Sequence, residues 1–198
     1  MEFPFTENIL LEDKRVRIEP LTSTHADQLE EVVDTNPGLL RYSPSLMHNR
    51  KDLERYIQFN LALREQSQKY PFAIYDKLIQ RYAGSSSYLR ISNKDSHLEI
   101  GSTWIGGAFQ RSGLNRHMKF QMLHYAFDTL GAIRVAFRTD ARNEQSKIAI
   151  LAIGATYEGT LRKHMLMPDG HMRDTVCYSI LKEEWPSLQS TVFRSMSD

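Results

Sequence analysis

"GGAFQRSGLN", residues 106–115, lies between an alternating, β-like stretch and a long amphipathic run. The run "LNRHMKFQMLHYAFDTL" (114–130) sets Leu114, Met118, Met122, Ala126 and Leu130 at steps of four, with Leu123 and Phe127 alongside. That stripe predicts a helix with one face in the core, closed by Gly131. The loop therefore opens onto a helix N-terminus. Such an end leaves backbone N–H groups without partners and carries a partial positive charge. A loop bent around it aims its amides at one point, and a phosphate suits that point. Gly113 lets the backbone turn tightly and approach a ligand closely. Arg111, Arg116 and Lys119 read as charges at the rim. No Gly-Lys-Ser/Thr is present, so the Mg²⁺-binding P-loop pattern is not met. The second half of the loop has one glycine, which does not make a dinucleotide-binding fingerprint. On loop chemistry alone, a plain turn into a helix and a phosphate site stay equally open.

Working outward, "QRYAGSSSYLRIS" (80–92) and the stretch 97–105 read as a hairpin around "SNKD" (92–95). Gly84 and the polar middle of the first strand suggest a sheet face near a site. Before them come a strand at "KRVRIEPL" (14–21) and a helix capped by Thr22, Ser23 or Thr24 that runs to about Val33. A second helix spans "NRKDLERYIQFNLALREQ" (49–66), and "KYPFAIYDK" (69–77) is a strand. After the long helix, "IRVAFRTD" (133–140) is a strand, and Asn143 caps a helix over 144–153 that Gly154 ends. The stretches 155–165 and 171–181 form a last hairpin around "MPDG" (167–170). Helices following strands 97–105 and 133–140 predict an α/β (α+β) fold. Its mixed sheet has about seven strands and four helices, with a parallel pair at its centre. No linker divides the chain, so one domain over 1–198 is expected, with its core at about 14–185.

A chain of 198 residues is long enough to bury a sizeable core. The formal net charge of +1 gives no reason to expect a nucleic-acid partner. No apolar run approaches the roughly 20 residues that span a bilayer, so no membrane partner is expected. The N-terminal stretch does not read as a signal peptide. Cys177 is the single cysteine, reads as a buried strand residue, and fits a cytoplasmic location. The seven histidines show no close ligand spacing, and no metal site is expected.

The loop pattern Gln110-x-x-Gly113-x-Asn115 resembles the coenzyme-A loop of the GNAT superfamily of N-acetyltransferases, Gln/Arg-x-x-Gly-x-Gly/Ala. Asn115 stands where the family has a small residue, and Asn tolerates a left-handed backbone. Asn143, Ser146, Ile150 and Gly154 keep the spacing of a second family block. Ile150 occupies the slot of a Tyr that usually gives a proton to the coenzyme-A sulfur. The branch resembling ribosomal-protein N-terminal (alanine) acetyltransferases often uses Ser for that role, which matches Ser146. The tail 158–185 also looks like that branch, with Gly159, Asp169-Gly170 and Arg173-Asp174.

The resemblance implies a GNAT acyl-CoA N-acyltransferase fold, acetyl-CoA as cosubstrate and an amine acceptor, either a protein N-terminus or a small molecule. Implied cofactor contacts are Trp104, Ile105, Gln110, Arg111, Ser112, Gly113, Leu114, Asn115, Arg116, Asn143 and Ser146. The pantetheine arm is expected beside strand 97–105, opened by a bulge in "WIGG" (104–107), with an oxyanion donor among the backbone N–H groups of Thr103 to Ile105. Ser146 would serve the leaving thiolate. Glu99 and His164 are rival bases, with His164 slightly preferred for its ordinary pKa of about 6.5. Arg41, Tyr42 and Met47 are candidates for the acceptor wall. Two other readings stay open: a non-catalytic acyl-CoA sensor, which Ile150 keeps alive, and a nucleotide-binding protein. A monomer or homodimer is expected.

Overall fold

The alternating segments of this chain come together as one eight-stranded sheet. The computed structural model describes residues 1–196. The strands are β1 (Leu11–Glu12), β2 (Val16–Pro20), β3 (Lys69–Asp76), β4 (Arg81–Ser92), β5 (His97–Ile105), β6 (Arg134–Asp140), β7 (Thr156–Leu166) and β8 (Met172–Leu181). Their order across the sheet is β1-β2-β3-β4-β5-β6-β8-β7. The helices are α1 (His25–Asp34), α2 (Arg50–Glu65), α3 (Leu114–His124), α4 (Glu144–Leu151) and α5 (Trp185–Ser190).

Both expected hairpins form, and among the described residues β5 and β6 are the one parallel pair. Two elements go beyond the expected set. β1 is two residues long, too short to show alternation. α5 is six residues with Pro186 in its first turn, and Trp185 is its fully buried anchor. Trp185 packs against Phe127 and Phe193, and its indole N–H donates to Asp128 Oδ2 at 2.7 Å. The long helix also departs from expectation: it is α-helical through His124, then makes a π turn over Tyr125–Thr129. At α1 none of the three hydroxyl residues caps through its side chain with Thr24 as N-cap; instead His25 Nδ1 accepts from the Thr22 N–H at 2.9 Å. Cys177 is half-buried on β8 rather than buried.

One irregularity shapes the centre of the sheet. β5 pairs with β6 only from His97↔Arg134 to Glu99↔Ala136. Beyond Glu99, β5 continues beside β4 alone, while β6 continues beside β8 as far as Asp140↔Thr175. The register of β4 against β5 shifts between Ser85 and Ser87, and Ser102 has a left-handed φ of 49°. The bulge therefore lies at Ser102, inside the strand, and not in residues 104–107 as expected. A bulge adds one residue and bends its strand. Here it brings the Trp104 carbonyl against Gly84, where a Cβ would sit 2.0 Å from that oxygen. Gly84→Ala must push β4 and β5 apart. Overpacking of this kind costs about 1–3 kcal/mol, and thermal unfolding should show a Tm lowered by roughly 3–10 °C.

Candidate active site

Where β5 and β6 part, the fold encloses a cavity of about 1190 Å³. Its walls come from the free edges of β5 and β6, loop 106–113, the starts of α3 and α4, loop 38–45, and residues of β7 and β8. Of the residues singled out in the sequence, Glu99, Trp104, Ile105, Gln110, Arg111, Gly113, Asn115, Arg116, Asn143, Ser146 and His164 all line it. Ser112 and Leu114 do not. The Ser112 hydroxyl turns back to donate to the Phe109 carbonyl at 2.6 Å, and the Leu114 side chain is fully buried in the core. Arg41 and Tyr42 line the cavity, whereas Met47 is buried away from it.

The loop keeps its amides free. Among the described residues, the N–H groups of Arg111, Ser112, Gly113 and Asn115 donate to no protein acceptor, and that of Leu114 has only a 3.4 Å contact with Ser112 Oγ. Left-handed φ values fall at Arg111 (55°) and Gly113 (86°). Asn115 is the second residue of α3 and is helical, so the tolerance invoked for it is not needed. Two neighbours fasten the loop. Gln110 Nε2 donates to the Ile105 carbonyl at 2.8 Å, and Gln145 Nε2 donates to Gln110 Oε1 at 2.9 Å, tying the end of β5 to α4. The Arg116 guanidinium donates to the Val192 carbonyl and is held by the C-terminal segment.

Asn143 caps α4 by accepting from the Ser146 N–H at 3.0 Å. That bond leaves the Ser146 hydroxyl, in the first turn of α4, at the cavity wall. Ile150 is buried one turn further and has no proton to give. Trp104 is buried edge-on against Tyr56 and forms wall.

Glu99 and His164, the two candidate bases, differ in setting. Glu99 is 5% exposed, and its Oε2 accepts no hydrogen bond although Arg138 Nε stands 3.3 Å and Arg90 Nε 3.6 Å away. Burial pushes its pKa up, against the opposing pull of Arg90, Arg138, Arg173 and Lys119. His164 is exposed on β7, with Nδ1 3.0 Å from Thr175 Oγ1.

Lys119 is not at the rim. It is 6% exposed, donates to Thr103 Oγ1 at 3.1 Å, and lies 5.5 Å from the Phe137 ring centre. Thr103 Oγ1 in turn meets Ser86 Oγ at 2.7 Å. Burial pushes the Lys119 ammonium down to about 7, with Glu99 pulling the other way, and burial pushes Lys69 down to about 8. The sequence does carry a signal for Lys119: it precedes Leu123 and Phe127 by one and two steps of four.

Known proteins resemble this chain in sequence and in fold. Residues 15–156 match the family model described as the acetyltransferase (GNAT) domain. A GCN5-related N-acetyltransferase from Brucella melitensis is 28% identical, with a TM-score of 0.88 over 96% of this chain and 86% of that one. A "putative acetyltransferase from T. thermophilus" is 32% identical, with a TM-score of 0.86 over 99% of both chains. The "Putative ribosomal N-acetyltransferase YdaF" of Bacillus subtilis (strain 168) is 32% identical over 102 residues, 52% of this chain and 55% of that protein. The chain thus spans about half the length of that relative.

The lysine in the cavity wall leaves a pH signature. Its folded pKa of about 7 lies below the ordinary 10.5. Between those values the unfolded chain holds a proton that the folded chain has released, so this group makes stability rise with pH. Lys119→Met removes the effect. Denaturant titrations should show its stability gain over the wild type largest below pH 7 and shrinking towards pH 10.5.

Proposed function

The chain belongs to the GNAT acetyltransferase family, and we propose that it moves an acetyl group from acetyl-CoA to a primary amine by direct attack in a ternary complex. One observation carries this reading: the unpartnered amides of Arg111, Ser112, Gly113 and Asn115 at the mouth of a cavity opened by the parting of β5 and β6. These donors suit the pyrophosphate of coenzyme A. The edge of β5 beyond Glu99 has no strand on the β6 side. It can pair with the amide groups of a pantetheine arm as with a short extra strand.

Acetyl-CoA supplies a thioester-activated acetyl group. The protein's part is to position the amine, remove its proton and stabilise developing charge. We assign the base to Glu99 rather than His164, because burial raises its affinity for a proton and Oε2, though flanked by Arg138 and Arg90, accepts no hydrogen bond. It takes the amine's proton directly or through one water. A free α-amine has a pKa of about 8 and a lysine about 10.4, so an N-terminal amine needs less assistance. A backbone N–H among Thr103 to Ile105 serves the oxyanion, a role worth about 3–4 kcal/mol. The Ser146 hydroxyl gives a proton to the leaving sulfur. The acceptor is a protein N-terminus or a small amine. A ribosomal-protein N-terminus is the first to try, after the name of the B. subtilis relative.

The test is a turnover screen with acetyl-CoA over ribosomal N-terminal peptides, lysine peptides, amino acids, polyamines and aminoglycosides. Turnover of none would return the sensor reading. Acetyl-CoA should raise the Tm and ATP should not; equal shifts would favour a general nucleotide site. Ser146→Ala should lower kcat and leave the acetyl-CoA Kd unchanged. Gly113→Val faces no steric clash, but it places a β-branched residue at φ 86°. Left-handed backbone costs about 1–2 kcal/mol there, and acetyl-CoA binding by calorimetry should weaken about tenfold.

A further inference from the structure

Arg173 is a buried cation with no salt-bridge partner among the described residues, and Asp140 and Glu99 act on it only at longer range. It lies on β8 opposite Met165, is 8% exposed, and lines the cavity. Its Nη1 donates to the Tyr42 carbonyl at 3.4 Å, and its Nε has no partner. Among the described residues no carboxylate oxygen lies within 4 Å of its guanidinium. The nearby acids are engaged elsewhere. Asp140 accepts from the Arg142 N–H at 2.9 Å, from Nε at 3.1 Å and from Nη2 at 2.8 Å. Glu99 stands between Arg90 and Arg138. Lys69 and Lys119 meet burial by releasing a proton more readily, but an arginine does not lose its charge. An uncompensated buried charge is costly, and a ligand that brings the counter-charge removes that cost.

The register places this cation on the same face of the sheet as Glu99. Glu99 is paired with Ala136, and Ala136 with Ser179. Along β6 and β8, Arg138 follows Ala136 by two, and Cys177, Thr175 and Arg173 precede Ser179 by twos. Side chains alternate along a strand, so Arg173, Arg138 and Glu99 share one face. Coenzyme A's phosphates are assigned to the free amides of the loop before α3, and its pantetheine arm is uncharged. That assignment leaves Arg173 without a counter-charge from the cosubstrate.

We propose that Arg173 is the anion-binding end of the acceptor site, and that the acceptor is a primary amine with a carboxylate a few bonds away. The proposal rests on the acetyl-transfer reading, in which Glu99 receives the amine. A carboxylate fits better than a phosphate, because a second negative charge near buried Glu99 would be repelled more strongly. The guanidinium fork matches a carboxylate in shape. Two sources share this chemistry: a free α-amino acid, and a polypeptide beginning with Asp or Glu.

The experiment uses matched acceptors: peptides beginning with Asp or Glu against the same peptides beginning with Asn or Gln, and free glutamate against its diamide. Calorimetry on the protein saturated with coenzyme A reads binding without turnover, and kinetics with acetyl-CoA read KM and kcat. The acidic member of a pair should bind at least about tenfold tighter. Arg173→Gln should erase that preference by raising KM for the acidic member and not for the neutral one, whereas any change in kcat transmitted through Glu99 falls on both members alike. Arg173→Lys should keep part of it. A preference seen with glutamate names a small-molecule source, and one seen only with peptides names a chain N-terminus. Equal binding within every pair, binding of no member, or equal loss of both members in Arg173→Gln overturns the proposal. An intact preference without turnover sinks the acetyl-transfer reading and leaves the subsite standing. Should Arg173→Gln fail to fold, the acid-to-amide comparison on the wild type and Arg173→Lys still decides.

Discussion

Three residue pairs hold β5 to β6, and the rest of the molecule's chemistry depends on there being no more. The bulge at Ser102 bends β5, and Gly84 admits the Trp104 carbonyl where any side chain would exclude it. β5 thus leans onto β4, and β6 follows β8. A strand edge with unpaired groups inside a fold is costly unless something meets it. Here that edge lines a cavity whose wall also includes the loop before α3. Gln110 joins the two features, because its side-chain amide holds the Ile105 carbonyl at the point where the strand gives way to the loop.

The cavity concentrates charge that the surrounding core does not. Glu99, Lys69, Lys119 and Arg173 are all buried in its lining. In such a setting each group meets a low dielectric, so mutual attraction is strong and so is the penalty on any charge left alone. Glu99 and Lys119 accordingly shift towards their neutral forms. An acid and an amine poised in this way can exchange a proton with a ligand more readily than two surface groups can. Displaced pKa values of this sort mark working sites more often than structural ones.

Much of the frame is legible in the sequence because period and punctuation agree. The stripe from Leu114 to Leu130, the cap at Asn143 and the turns at 92–95 and 167–170 each combine a hydrophobic repeat with a residue suited to end it. The misses share another cause. β1 and α5 are too short to carry a period, and tertiary contacts of Tyr70 and Trp185 hold their surroundings. The bulge at Ser102 leaves no mark in composition, since a serine can occupy either backbone region. Lys119 reads as a rim residue by its charge, although its place in the helical stripe is that of a core residue. Arg173 reads as part of a hairpin motif. Its isolation follows from β8 lying between β6 and β7, an arrangement that no local pattern reveals.

The same strand order governs when the site can exist. β7 touches the sheet only through β8, although β7 comes first along the chain. Until residues 172–181 are available, β7 has no edge to dock on, and β6 is held by its three pairs with β5. A chain emerging from the ribosome carries β1 to β5 and the loop before α3 well before residues 172–181 appear. It gains the opposite wall, with Thr175 and Arg173, only as its final strand is laid between two others. Until that strand is in place, the cavity has one wall fewer than in the folded protein, and the edge of β6 on that side stays unpaired.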